Sequence, residues 1–207
     1  MISVIDDLTP KETQDKIEQL LLANSVQWYY IVESSGDSKD YETYGGVNHP
    51  QYYHVIYNES LSNPVESSHI FNGILPIIMA IPFSFKSIVR IKMNATHQIN
   101  SMSEDDTGPA HVDYKGYPVE ADEQLITAIY YPHDSDGDTR IFKNDSNYVS
   151  VSPKKGRMVL FDASLIHSGT TPRISDRRIV VNFNVITTKE NWNTFLFTKS
   201  QVSRKIL

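Results

Sequence analysis

Arg178-Ile179-Val180-Val181-Asn182-Phe183-Asn184 is the stretch whose reading decides the fold. In an extended chain successive side chains point to opposite faces. Ile179, Val181, Phe183 and Val185 therefore make one apolar face, suited to core packing. Arg178, Val180, Asn182 and Asn184 make the other, which is too polar to be a second core. The segment reads as a strand with one side in a hydrophobic layer and the other in a polar interior.

Similar runs lie upstream, at Ser87 to Asn94, Leu125 to Tyr131, Thr139 to Phe142, Tyr148 to Val151 and Met158 to Phe161. Several are separated by turn sequences, Asp134-Ser135-Asp136-Gly137-Asp138 and Pro153-Lys154-Lys155-Gly156 among them. Short strands without helical patterns between them predict a β-sandwich or jelly roll. Before residue 87, Ile2 to Ile5, Val26 to Val32 and Tyr52 to Tyr57 have strand character. Thr9-Pro10-Lys11-Glu12 predicts a capped helix start, with Ile17, Leu20 and Leu21 as its apolar side. A second helix is expected from Ser67 to about Ala80, disturbed at Pro76. Overall this is a mainly β (α+β) chain, a double-stranded β-helix (jelly roll) with N-terminal helices packed on one sheet. The expected organisation is one domain over 1–207. It comprises an N-terminal elaboration (1–86), a jelly-roll core (87–187) and a C-terminal extension (188–207), whose Lys199, Arg204 and Lys205 read as a solvated end.

Composition narrows the chemistry. A chain of 207 residues can bury a substantial core. Its twelve tyrosines and eight phenylalanines against nine glycines suit a strand-rich fold. A formal charge of −6 argues against a general nucleic-acid binder. With no cysteine, disulfides and thiolate metal sites are excluded, so any metal must take nitrogen and oxygen ligands. The start MISVIDDLTPKE lacks the form of a signal peptide. No apolar run reaches the roughly 20 residues needed to span a bilayer. A cytoplasmic protein is expected.

His111-Val112-Asp113 places an imidazole and a carboxylate on one side of an extended segment. His167, at the end of an apolar run, can complete a face of two histidines and one carboxylate. Non-haem Fe(II) oxygenases use that donor set with open positions. A His-x-Asp also arises readily by chance, and His167 alone could be a core histidine bonded to backbone. Arg178, eleven residues beyond His167, would enter the polar interior. A buried arginine requires an anion, and its planar fork suits a carboxylate. The plainer alternative is a surface arginine at a strand start, to which Arg177 conforms better.

These pieces together resemble the Fe(II)- and 2-oxoglutarate-dependent oxygenases, in particular small prolyl-hydroxylase-like members of phages and marine microbes. The matching segments are Arg90 to Asn94, His111 to Tyr114, Thr127 to Tyr131, Gly137 to Phe142, Lys155 to Asp162, His167 to Thr171 and Arg178 to Asn184. They occur in family order over about residues 88 to 187. The resemblance implies His111, Asp113 and His167 as iron ligands, and Arg178 as partner of the distal carboxylate of 2-oxoglutarate. It adds Tyr131 as a hydroxyl donor to that carboxylate, with Asn182 and Asn94 as further contacts. Implied cofactors are Fe(II), 2-oxoglutarate and O₂, with ascorbate as an optional addition. The implied reaction is hydroxylation with release of succinate and CO₂. Asp113 favours hydroxylation over halogenation, because halogenases of this family carry a small residue there. One departure is that Arg90 is followed by isoleucine where the family often has tyrosine.

The implied substrate is a prolyl residue of a peptide or protein, with an amino acid or another small metabolite as the alternative. Nucleic-acid and membrane partners are not expected. If phage-encoded, the protein would work in the host cytoplasm. Two rivals keep the fold: a cupin-like jelly roll that binds without turnover, and a Zn²⁺ hydrolase, in which Arg178 has no purpose. The loop Ser34 to Pro50 and the segment Ser101 to Pro109 are expected to select substrate, with Tyr41, Tyr44 and Tyr114 as contacts. Asp134 to Asp138 lacks the glycine position of a calcium loop. His49, His54, His69, His97 and His133 read as surface or packing residues.

Overall fold

The structure is a computed structural model and describes residues 1–32, 44, 46–47, 49–59, 68–99, 106–144 and 147–204. Most of the loop Ser34 to Pro50, including Tyr41, and residues 101–105 lie outside the described residues.

Among the described residues ten strands form two antiparallel sheets. The strands are β1 (Ile2–Ile5), β2 (Tyr29–Ile31), β3 (Gln51–Asn58), β4 (Ser87–His97), β5 (Glu123–Tyr131), β6 (Thr139–Asn144), β7 (Asn147–Val151), β8 (Arg157–Asp162), β9 (His167–Gly169) and β10 (Arg177–Thr188). The larger sheet has the order β1-β8-β5-β10-β4-β3-β2, and the smaller β7-β6-β9. Two facing antiparallel sheets are the jelly roll expected from the strand spacing. The three N-terminal strands extend the larger sheet at both edges.

Alternation in β10 sorts its residues as its sequence requires. Ile179, Val181, Phe183 and Val185 join Ile91 and Met93 of β4 and Met158 and Leu160 of β8 on the outer face of the large sheet. Three helices cover that face: α1 (Lys11–Leu21), α2 (Phe71–Met79) and α3 (Lys189–Arg204). They contribute Ile17 and Leu21, then Ile74, Ile77 and Ile78, then Trp192, Phe195 and Leu196. Each such side chain is worth about 1.5–3 kcal/mol when buried, so this layer supplies most of the hydrophobic stabilisation. Between the sheets Ile129, Tyr131, Ile141, Val159, Phe161 and Val180 form a smaller cluster. The rest of that interior is polar.

Two local expectations change. Pro10, not Thr9, caps α1, and no side chain caps it, so the capping box does not form. Helix α2 begins at Phe71 and carries Pro76 within it. The C-terminal extension is a helix whose Trp192, Phe195 and Leu196 are buried. The Pro153 to Gly156 turn holds Gly156 at φ 78°, where a Cβ would strike the Gln14 side chain. Among the described residues no helix is long and apolar enough to cross a membrane.

Candidate metal centre and its cavity

His111 and His167 meet by backbone pairing. His111 N–H donates to the His167 carbonyl at 3.0 Å, and His167 N–H to the His111 carbonyl at 2.9 Å. This bridge brings the two rings to a centroid distance of 4.6 Å. One donor atom from each of His111, Asp113 and His167 lies within 4.8 Å of the others, a group able to hold a metal ion. Each histidine places Nδ1 against a carbonyl: His111 at 2.9 Å from Pro109 O, His167 at 3.1 Å from Leu165 O. A carbonyl only accepts, so Nδ1 carries the proton and Nε2 offers its lone pair. Burial pushes the His167 imidazole down to about 4, keeping it neutral near pH 7.

Asp113 is held from three strands. Arg90 of β4 donates to Oδ1 at 3.1 Å, and Thr127 of β5 to Oδ2 at 2.8 Å. Asn182 of β10 donates to both oxygens at 3.0 Å, and Asn184 to Oδ2 at 2.9 Å. Burial opposes the ionised carboxylate. The facing His167 and Arg90 and the Asn182 amide outweigh it, and Asp113 stays ionised well below the usual range.

These groups open onto a cavity of about 480 Å³, within the ordinary range for a small-molecule site. Arg178 lies in its wall and is only 5% exposed, whereas Arg177 points to solvent. Arg178 Nε donates to Gly137 O at 2.6 Å and Nη2 to Thr139 Oγ1 at 2.7 Å. Among the described residues no carboxylate pairs with this buried guanidinium. Thr139 also accepts from Tyr131 at 2.7 Å. Tyr131 is fully buried, is not among the cavity-lining residues, and its hydroxyl also interacts with the Arg178 guanidinium. Asn94 and Asn182 line the cavity, and their Oδ1 atoms have no hydrogen-bond partner.

The residue roster differs from the sequence-based one. Of the expected substrate contacts, Tyr114 stacks on Arg90, with the guanidinium 4.8 Å from its ring centroid. His49 is buried and lines the cavity, while His54 and His133 are buried elsewhere and His69 and His97 are exposed. Arg90, Thr127, Asn184, Thr139 and Gly137 were not expected in these roles. Asn184 could have been found, since it shares the β10 face with Arg178 and Asn182. Thr127 likewise shares a face with Tyr131. Nothing local marks Arg90 or Gly137, whose partners are 23 and 41 positions away.

Residues 97–186 match the family model described as the 2OG-Fe(II) oxygenase superfamily. That span holds His111, Asp113, His167 and Arg178. The chain carries a 2OG-Fe(II) oxygenase domain. The oxygenase is a 2-oxoglutarate-dependent dioxygenase, with Fe(II) and 2-oxoglutarate as cofactor and cosubstrate. Its fold is similar to that of a Trichoplax adhaerens prolyl hydroxylase solved with a hypoxia inducible factor peptide fragment. The TM-score is 0.58 at 12% identity, covering 89% of this chain and 82% of that one. A 2OG-Fe(II) oxygenase family oxidoreductase from Burkholderia pseudomallei gives 0.59 at 9% identity, with 90% and 85% covered. The epimerase SnoN, in complex with Fe3+, alpha ketoglutarate and nogalamycin RO, gives 0.51 at 13%, with 90% and 78% covered. At these identities the likeness is one of fold. The oxygenase's donor set fits its iron: two imidazole nitrogens and an ionised carboxylate, on one face. The unpaired Arg178 fits an anionic cosubstrate.

Proposed function

We propose that this oxygenase hydroxylates its substrate, with iron held by His111, Asp113 and His167 and 2-oxoglutarate anchored by Arg178. Bound Fe(II) and 2-oxoglutarate supply the oxidising power, drawing on O₂ and releasing succinate and CO₂. The protein's part is orientation and exclusion of water.

The single observation carrying this assignment is the buried guanidinium in the same cavity as the triad, with no carboxylate paired to it among the described residues. Burying a cation without a partner is costly, and a carboxylate with two oxygens offsets that cost through two parallel hydrogen bonds. Thr139 adds to the anchor. Its oxygen accepts from both Arg178 and Tyr131, which leaves its own proton for an acceptor in the cavity. Tyr131 acts through Thr139 and Arg178, as a positioning residue. Asn182 holds the Asp113 carboxylate with its amide, and its own carbonyl and that of Asn94, both unpartnered among the described residues, belong to the cavity lining. A Zn²⁺ hydrolase would have no use for Arg178 at this place, and a binding-only jelly roll would have none for the triad beside it.

A prolyl residue in a peptide is the substrate the resemblance favours, and an amino acid or another small metabolite is the alternative. The direct experiment incubates the protein with Fe(II), 2-oxoglutarate, O₂ and panels of proline-containing peptides and of amino acids, followed by mass spectrometry. Gain of one oxygen atom in a panel member, matched by succinate, supports hydroxylation. Succinate formed with no oxygen gained by any compound present, even with the best stimulating compound, counts against it.

A further inference from the structure

The cavity is cationic in an acidic protein. Among its described lining residues stand Arg90, Lys92, Lys115 and Arg178, against one carboxylate, Asp113. The chain as a whole carries a formal charge of −6. Fe(II) and 2-oxoglutarate have equal and opposite charges, so loading the site leaves the excess unchanged. Arg90 is engaged by Asp113 and the Tyr114 ring. Arg178 is committed to the cosubstrate in the proposal above.

Lys92 is different. It is partly buried, and among the described residues it has no ion pair and no hydrogen bond to a carboxylate. Its Nζ rests over the Tyr53 ring, 5.0 Å from the centroid, a contact that orients an ammonium without neutralising it. Burial and the neighbouring Arg90 push its pKa down, a sign that the cation is poorly compensated. Sheet register places it. Lys92 pairs with Asn182, whose amide holds Asp113, so it enters the cavity level with the metal triad. Arg178 pairs with Thr96, four residues along β4, or about 13 Å at the strand rise. Its Nζ is drawn sideways towards Tyr53 of β3, whereas Arg178 on β10 turns to Gly137 O and to Thr139 of β6. An anion at Lys92 is therefore not the carboxylate held by Arg178.

We propose that the substrate of this oxygenase bears a carboxylate or phosphate, and that Lys92, braced on Tyr53, binds it beside the metal triad. This rests on the 2-oxoglutarate oxygenase reading. It narrows the substrate to a free acid, a phosphorylated compound or a peptide with an acidic group near the oxidised carbon.

The test uses the full chain loaded anaerobically with Fe(II) and 2-oxoglutarate, as wild type, Lys92→Arg and Lys92→Gln. Formation of the visible charge-transfer band is recorded first. Acetate, inorganic phosphate and neutral acetamide are then titrated by calorimetry. At least one anion is expected to bind wild type and Lys92→Arg, and to lose tenfold or more in affinity in Lys92→Gln, a loss of about 1.4 kcal/mol. Acetamide is expected not to bind. Whichever anion binds more tightly separates carboxylate from phosphate. No anion binding to banded wild type, equal binding by Lys92→Gln, or acetamide binding as well as acetate would overturn the proposal. Absence of the band would instead remove the oxygenase reading beneath it, and the proposal with it.

Discussion

Asn182 Nδ2 lies 3.0 Å from both carboxylate oxygens of Asp113. The two residues are 69 positions apart in the chain, and the amide fixes the plane in which the carboxylate meets its metal. Asn182→Leu should leave the fold intact and loosen Asp113. Metal affinity is expected to fall about 10–100-fold, the usual effect of losing a hydrogen bond to a ligand. Anaerobic Fe(II) titration checks it; unchanged affinity would mean that Arg90, Thr127 and Asn184 suffice.

Gly137 is close to Arg178 in a way that only glycine allows. A Cβ there would come within 2.7 Å of Arg178 Cδ and of the Thr170 backbone oxygen. Gly137→Ala is expected to displace the guanidinium and weaken 2-oxoglutarate binding about tenfold or more with Fe(II) binding nearly unchanged. Arg178→Ala should do the same more strongly, and Arg177→Ala should do little. Equilibrium dialysis of the two ligands distinguishes these outcomes. Loss of both ligands together in Arg178→Ala would mean that the residue supports the metal site instead.

Asp136 ties the loop before β10 to the β5–β6 turn. Its carboxylate accepts from the backbone N–H groups of Arg173, Ile174 and Ser175 at 2.8, 2.8 and 2.9 Å. Burial raises its pKa, but these three donors prevail and bring it down to about 2. A carboxyl whose folded pKa is depressed stabilises the fold above its unfolded value near 3.8, and that contribution fades as pH falls towards 2. Asp136→Ala should therefore cost about 1–2 kcal/mol at pH 7, and the gap to wild type should close on acidification through that window. Urea unfolding at a series of pH values measures it. A pH-independent gap would contradict the assignment.

Trp192 is 4% exposed and stacks edge-on against Phe83, with centroids 5.3 Å apart. Trp192→Ala should destabilise the protein by about 3–5 kcal/mol, while any correctly folded fraction retains its metal affinity. Thermal unfolding with metal titration checks both parts. A change under about 1 kcal/mol would mean that α3 is dispensable.

That helix shows where the sequence is hard to read. Trp192, Phe195 and Leu196 have helical spacing, but the adjacent Phe197 is exposed, most other neighbours are polar, and the downstream Lys199, Arg204 and Lys205 suggest a solvated end. The strands were legible because an alternation of two exposes each face directly, as β10 demonstrates. The triad, too, was legible, because His111 and Asp113 are near neighbours and His167 ends an apolar run. The residues that steady the triad were not. Arg90, Thr127 and Asn184 owe their places to strand order β5-β10-β4, which no local pattern encodes. Nothing local marks Lys92 either, and only register sets it level with Asn182.

The central claim is that one cavity binds iron and 2-oxoglutarate together, through His111, Asp113, His167 and Arg178. The most direct measurement is the visible spectrum of metal-free protein mixed anaerobically with Fe(II) and 2-oxoglutarate. A metal-to-ligand charge-transfer band is expected in wild type, lost in His167→Ala and shifted to higher 2-oxoglutarate concentration in Arg178→Ala. Wild-type protein that binds Fe(II) yet shows no band at saturating 2-oxoglutarate would contradict it.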